Sequence, residues 1–463
     1  MPVAVVGGGI SGLTAAHALA KRGLSFVVLE SSPRWGGVIR SEQVDGFLFE
    51  GGPDSLLAQK PEAIELCREL GLGERLIPTN PDQRNVFVLR GKQLHALPEG
   101  MVLAVPTRVG PFLRSRLFSW PGKARMGLDL LIPGKRDDTD ESIAAFLRRR
   151  FGREAVERLG EPLLAGIHAG DPERLSILCT FPRFVALERR HGSLVRGMWA
   201  LPRPAARSGP PPAAFLSLEG GLRELVEALV AALPADRLRA QCAVTSIHRA
   251  PGGYELHLAG GERVRARAVV VATPAHRSAL LLETLQPRAA ELLRGIPFVS
   301  TATVLLGYRR EDVTHPLDGY GMVIPKTEGL RTSAFSFFST KFPGRAAEGH
   351  VLLRAFLGGA RDPGVLTVDD AGLVDLVQRE MADVVGLRGR PAVSRVYRWP
   401  QGTPQMEVGH LQRMAELESV TAELPGLLLA GSGLRGTGIP DCVADAQRVA
   451  ARAAEFVGTP PSP

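Results

Sequence analysis

Cysteine is scarce in this chain: four residues among 463, Cys67, Cys179, Cys242 and Cys442, all far apart. They build no CxxC pair, no Cys/His zinc spacing and no disulfide framework, so buried thiols in a reducing compartment are expected. Tyrosine and tryptophan are equally few, four of each. No uncharged run that is apolar throughout reaches the roughly 20 residues of a spanning helix. No secretory leader is read before the first apolar strand, so an intracellular setting is expected. An excess of one charge is also missing. The 56 Lys+Arg and 48 Asp+Glu leave +8, too mild to demand a polyanion, and no nucleic-acid partner is expected. The 52 Gly and 36 Pro form no repeat, which excludes collagen-like and solenoid architectures. What remains is globular, with 44% hydrophobic content and length for two or three domains.

The first fifty residues carry the densest signal. An apolar run at 2–6 stops at Gly7-Gly8-Gly9-Ile10-Ser11-Gly12, and a helical pattern follows at 13–22. This is GxGxxG between a strand and a helix. Gly7 suits a tight turn, Gly9 lets backbone approach a pyrophosphate, and Gly12 permits close helix–strand packing. The helix start offers unpaired N–H groups to phosphate. Glu30 ends the next strand, where its carboxylate can accept ribose hydroxyls. Ser31 and Arg34 lead into Gly36-Gly37-Val38, a second glycine pair. A hairpin at 38–41 and 47–50 then delivers Gly51-Gly52-Pro53-Asp54-Ser55.

Here the sequence resembles the FAD-binding segment of the flavin amine oxidase superfamily, with its R-x-GG and E-x-GP elements. The resemblance implies that Gly52, Pro53, Asp54 and Ser55 lie along a flavin. It also implies that a backbone group near Val244 holds the adenine, with Trp399 among the cofactor contacts. The C-terminal strand at 427–430 leads into Gly431, Gly433, Gly438, Ile439 and Pro440, then a helix to about 456. Glycines let a ribityl chain lie on bare backbone, and Pro440 suits a first helical turn aimed at the flavin pyrimidine. One non-covalent FAD per chain is expected, since Cys442 is too far into the helix for a thioether.

The expected fold is α/β. A Rossmann-like FAD domain is assembled from 1–85, 212–278 and 403–463, with 458–463 as a disordered tail. An α+β substrate domain with an antiparallel sheet occupies 279–402, and a mostly helical insertion occupies 86–211. From 84 to 136, ten basic residues face two acids, among apolar side chains that include Phe112, Phe118 and Trp120. That mixture fits helices lying on anionic lipid at the cytoplasmic side of the cell membrane. It equally fits a solvated helical cap over core.

Nearly the whole chain is similar to the oxygen-dependent protoporphyrinogen oxidase family. The match is carried by AVVGGGISGLTAA (4–16), LESSPRWGGVIRS (29–41), FEGGPDSLL (49–57), LHALPEG (94–100), LLAGIHAGDPERLS (163–176), WPQGTPQMEVGH (399–410) and GTGIPDCVADA (436–446). It implies oxidation of protoporphyrinogen IX by dioxygen in haem synthesis, in three two-electron cycles that release hydrogen peroxide. The protein supplies orientation and a dry apolar slot, and no nucleophile elbow, triad or metal cluster is found. The resemblance assigns the Gly166 carbonyl to the reacting carbon, with Ile167 and His168 beside it. Val323 and Phe356 are read as walls. His168 stays open between general base and structural residue. Where relatives carry an arginine for a substrate propionate this chain has Asn85, with Arg84 adjacent, so Asn85 is the expected anchor. Diphenyl-ether herbicides are expected inhibitors, and a homodimer is possible on this reading. The close alternative is coproporphyrinogen III, which has two more carboxylates. An amine oxidase, a carotenoid desaturase and a catalytically dead flavoprotein are the remoter ones.

Overall fold

Four short apolar runs (VAVV, FVVL, AVVV and LLL) together with Leu238–Arg239 form a parallel sheet. Strands buried on both faces read as continuous hydrophobic runs rather than alternations. In the computed structural model, which describes residues 1–201 and 213–458, the order is Leu238–Arg239, Phe26–Leu29, Val3–Val6, Ala268–Val271, Leu427–Leu429. All neighbours are parallel. Three segments hundreds of residues apart thus share one sheet. Val3, Val5, Val28 and Val270 face the helices Ile10–Ala20, Arg223–Ala231 and Ile439–Gly458. Ala4, Val6, Val269 and Val271 face the three-stranded sheet of residues 244–266 and the helices Ala275–Leu282 and Pro287–Arg294. This is the Rossmann-like, discontinuous unit that the sequence implies.

The second sheet has seven strands, in the order Val393–Pro404, Phe298–Arg309, His350–Gly358, Ala334–Ser336, Gly319–Val323, Asn85–Arg90, Gln93–Ala96. Two expectations are corrected here. The sheet is not confined to 279–402, because two strands come from the start of the stretch read as helical. Nor is it wholly antiparallel, since Gly319–Val323 pairs in parallel with Asn85–Arg90. The NVFVLR run holds a continuous apolar stretch buried on both faces, which periodicity alone does not separate from a short buried helical segment. One face, with Phe87, Met322, Phe335, Ala355 and Val304, is covered by the helix Asp370–Val385. The opposite face meets the helical insertion, whose core of Phe112, Phe118, Phe146 and Leu164 includes Val88, Val323 and Ala334 of the sheet.

Smaller differences have local causes. The helix starts at Ile10, not 13. The first hairpin strand starts at Ser41, not 38, because Gly36 and Gly37 take positive φ and residues 34–39 form a loop. The strand that begins at Ala334 stops at Ser336, and Phe338–Lys341 is a helical turn. The expected boundary at 211–212 and most of the expected tail, 459–463, lie outside the described residues. Among the described residues, no helix is long and apolar enough to cross a membrane.

Candidate active site

The glycine cradle is built almost entirely from backbone. Gly7 has φ +108°, and a Cβ there would sit 2.8 Å from the Ala272 carbonyl oxygen. A Cβ on Gly12 would sit 1.8 Å from the Gly7 oxygen, so only glycine lets helix and strand meet this closely. Gly9 is different: nothing lies within 4 Å of its Cβ position. That opening faces a helix start with no side-chain cap and no acid in its first turn, the arrangement an anionic diphosphate needs. Gly36 N–H donates to the Gly8 oxygen at 2.8 Å, which lays the second glycine pair against the first. Arg34 spends its guanidinium on the carbonyls of Trp35, Gly37 and Ile39 and so shapes that loop. Gly52 lies under the Val38 carbonyl, 1.8 Å from where its Cβ would be.

Glu30 accepts from Gly8 N–H (2.5 Å) and Ser32 N–H (2.7 Å), with the Ser31 hydroxyl at 3.3 Å. Its neighbour across the sheet is the 238–244 segment, where Cys242 N–H donates to the Glu30 carbonyl two residues before Val244. Gly431 lies near the Thr273 carbonyl, and Gly433 N–H closes a turn onto Gly436. Gly438 N–H donates to Asp441 at 3.2 Å, ahead of the helix that Ile439 and Pro440 begin. Lys60 pairs with the same Asp441. These backbone openings, the bare helix start and the carboxylate fit a dinucleotide, with Gly7 and Gly431 both set against Ala272–Thr273.

The sheet supplies the other wall. Its registers align one row of residues on one face: His95, Val88, Val323, Ala334, Phe356, Thr303 and Tyr397. At one end, the Tyr397 ring is 2.5 Å from where a Gly51 Cβ would be, and Trp399 Nε1 donates to the Gly51 carbonyl at 2.9 Å. At the other end, the helix Glu161–His168 rests on the row through Gly166, whose Cβ position lies 3.3 Å from Ala334 Cβ and 3.7 Å from Val323 Cγ1. Phe356 and Thr303 stand between, so the row joins the cofactor segment to the Gly166 helix.

That helix follows a π-helical turn at Val156–Gly160, just where Pro162 has no N–H to give residue 158. It ends at Ala169 in the left-handed conformation. The Gly166 carbonyl is among the last four of the helix, which have no partner within it. Gln405 Nε2 donates to the His168 carbonyl (3.0 Å) and Ala360 N–H to that of Ala169 (2.8 Å), fixing the helix end. Ile167 is 63% exposed. His168 packs edge-on against Phe181. Burial, helped by Lys60, lowers its pKa to about 4, so the ring is neutral near pH 7 and poorly suited to taking up a proton.

Asn85 is not in this row. Strand alternation puts it on the face of Phe87, opposite Val323 and Phe356, and its amide donates to the Asp318 carbonyl at 3.0 Å. The expected propionate anchor is therefore corrected. Arg84 Nε donates to the Pro81 carbonyl. Sequence reading also missed residues the fold brings in. Arg354, on the same strand and face as Phe356, pairs with Asp54 at 2.8 Å and donates to the Gly52 carbonyl. Lys341 pairs with Asp54 at 3.0 Å. Burial works against ionisation of Asp54, but Lys341 and Arg354 overcome it and hold the carboxyl well below its usual range. Glu50 is enclosed, accepting from the Ser41 hydroxyl and Leu222 N–H, and burial pushes its pKa up to about 7. The only local hint of Arg354 was a lone arginine inside the apolar run VLLRAFL.

Comparison with known proteins agrees with this geometry. Coproporphyrinogen III oxidase of Bacillus subtilis is 36% identical over 456 residues, covering 95% of each chain. The chloroplastic protoporphyrinogen oxidase of Nicotiana tabacum is 30% identical, covering 98% of this chain and 85% of its own. A crystal structure from Exiguobacterium sp. 255-15, of a protein provisionally named a protoporphyrinogen oxidase, superposes with a TM-score of 0.87 at 32% identity over 99% of both chains. The family description "Flavin containing amine oxidoreductase" matches residues 10–454. With the glycine cradle at one end of the sheet row and the Gly166 helix at the other, the chain belongs to that flavin-containing oxidoreductase family.

Proposed function

We propose that this chain is an FAD-dependent porphyrinogen oxidase that converts protoporphyrinogen IX to protoporphyrin IX with dioxygen as acceptor. The observation that carries the reading is the sheet row that ends at Gly51–Gly52 on one side and under Gly166 on the other. The apolar side chains of that row, Phe356 above all, are the kind of surface on which a flat macrocycle lies. The dinucleotide form is supported by the GxGxxG turn together with Glu30. Non-covalent binding is supported by the state of the neighbouring Cys442, whose thiol is buried against Ser11 and Ser432, so that burial pushes its pKa up to about 11 and disfavours the thiolate a thioether would need. When bound, the flavin supplies the two-electron oxidation. The chain's own part is to orient and to exclude water. Phe356, Val323 and Ile167 offer apolar surface, the Gly166 carbonyl offers a fixed dipole, and neutral His168 closes the slot without taking a proton.

Coproporphyrinogen III is the second reading. It is favoured by the 36% identity to a relative named for that substrate, against 30% for the one named for protoporphyrinogen. The test is direct: purify the protein, record its visible spectrum, and add each porphyrinogen in air at equal concentration. A yellow protein that generates porphyrin fluorescence supports the proposal, and the faster substrate decides between the readings. A flavin-loaded protein inert to both would sink it. Competition by a diphenyl-ether herbicide would sharpen the slot assignment.

The same proposal includes a peripheral site on an anionic membrane surface at the cytoplasmic face. Val109, Leu113, Trp120, Leu128 and Leu131 stand exposed in the basic stretch, Leu131 at 76%. Part of the basic surplus is structural, since Arg125 caps the carbonyls of Arg148, Arg149 and Arg150 and Lys123 donates to that of Leu113. Co-sedimentation with phosphatidylglycerol vesicles, reduced by Trp120→Ser with Leu131→Ser, is the expected behaviour.

A further inference from the structure

Most charged groups of this protein lie at its surface, but one cluster is enclosed where the cofactor segment meets the sheet. Arg354 is 3% exposed, and Asp54 and Lys341 are 11% and 16% exposed. Arg354 gives one nitrogen to Asp54 and another to the Gly52 carbonyl, while its Nε is buried with no partner. Its guanidinium carbon lies 4.6 Å from the centroid of the Phe356 ring, two residues along the same strand. One side chain therefore holds both the turn expected along the flavin and the aromatic wall of the slot. The formal charges do not cancel, because two cations share one carboxylate. Glu50 and Arg345 also act on this cluster, but they bring one formal charge of each sign and leave its positive surplus standing. Glu50 accepts from Ser41 and Leu222, and Arg345 donates to the carbonyls of Leu218 and Glu219.

We propose that Arg354, Asp54 and Lys341 form a charged clamp. It positions the 52–54 turn against Phe356 and leaves one net positive charge beside the flavin segment, which raises the potential of the bound flavin. The inference rests on the flavin reading of the site and not on which porphyrinogen is consumed. A two-electron-reduced flavin carries more negative charge than the oxidised form, so a buried cation nearby favours reduction. Arg354 is here a positioning residue, acting through the turn and through its field.

The signs separate this from a merely structural role. Arg354→Met and Lys341→Met each take the triad to zero net charge and should lower the two-electron midpoint potential. The expected shift is about tenfold in the reduction equilibrium, roughly 30 mV for a two-electron couple. Asp54→Asn should raise it by a similar amount. Arg354→Met combined with Asp54→Asn restores the net charge and should return the potential to within a few millivolts of wild type. Arg354→Lys keeps the charge but not the two-pronged grip. It should hold the potential while weakening flavin binding to the stripped protein about tenfold.

The measurements are a dye-coupled redox titration, flavin titration of the apoprotein and thermal melting of both forms, none of which needs substrate. If the arginine variants do not fold, Lys341→Met and Asp54→Asn still carry the opposite signs. Shifts of one sign in all variants, or none in proteins that retain flavin, would overturn the clamp. A wild-type protein that takes up no flavin would overturn the site itself.

Discussion

The glycine cradle and the sheet face opposite it do equally necessary work by different means. In the cradle, function lies in what is missing: side chains at Gly7, Gly9, Gly12 and Gly52 whose absence lets backbone meet backbone or leaves room for a ligand. On the sheet, function lies in side chains that come from strands far apart in sequence and meet only through register, as Val88, Val323, Ala334, Phe356, Thr303 and Tyr397 do. A cradle of this kind should fail abruptly when filled. A register-built wall should degrade by increments.

The largest effect is expected at Gly12. Valine there collides with the Gly7 oxygen and should cost upwards of about 3 kcal/mol, read as a colourless protein with a much lowered melting temperature. Glu50 joins the two regions, and its pH dependence follows from its pKa near 7. Between about pH 4.5 and 7, the folded carboxyl keeps a proton that the unfolded chain has released. Stability therefore falls with rising pH across that window and levels off above it, by about 3 kcal/mol in all. Urea unfolding at pH 5 and pH 8 should show this slope in wild type and not in Glu50→Gln.

Gly166→Val tests the slot end. It presses on Ala334 and Val323 and should lift the helix, lowering kcat about 100-fold while the flavin spectrum stays intact. Gly9→Ala sharpens the contrast with Gly12. The Cβ space at Gly9 is empty and its φ is −74°. The flavin-free protein should therefore keep its stability within about 0.5 kcal/mol, yet lose about tenfold in flavin affinity by titration, because the methyl enters the ligand's space. The smallest effect is expected at Asn85. Alanine should leave KM within about twofold and cost about 1 kcal/mol for the bond to Asp318; a tenfold rise in KM would restore the propionate anchor.

The same contrast explains what the sequence made legible. The cradle is local: Gly7 to Glu30 span one strand–turn–helix–strand unit whose chemistry is written in consecutive letters, and the C-terminal glycine loop is similarly continuous. The sheet row is not. Nothing near Asp54 points to Arg354 or Lys341, some 300 residues on. The face on which Asn85 sits depends on where its strand alternation begins, and a shift of one residue reverses it. The strand at 85–90 was hidden for a related reason, because a short apolar run buried on both faces reads equally as a buried helical segment. Val323 and Phe356 could be named as apolar wall from the resemblance, but their alignment with Thr303 and Tyr397 required the registers.

The π-helical turn at Val156–Gly160 has a consequence for how this slot can change. In an ordinary helix each residue is rotated by about 100° from the one before it. The widened turn holds about one residue more than an α-turn, so a single deletion within it closes it to α geometry and leaves Gly166 facing Ala334, whereas the same deletion between Glu161 and Ala165 would swing Gly166 away.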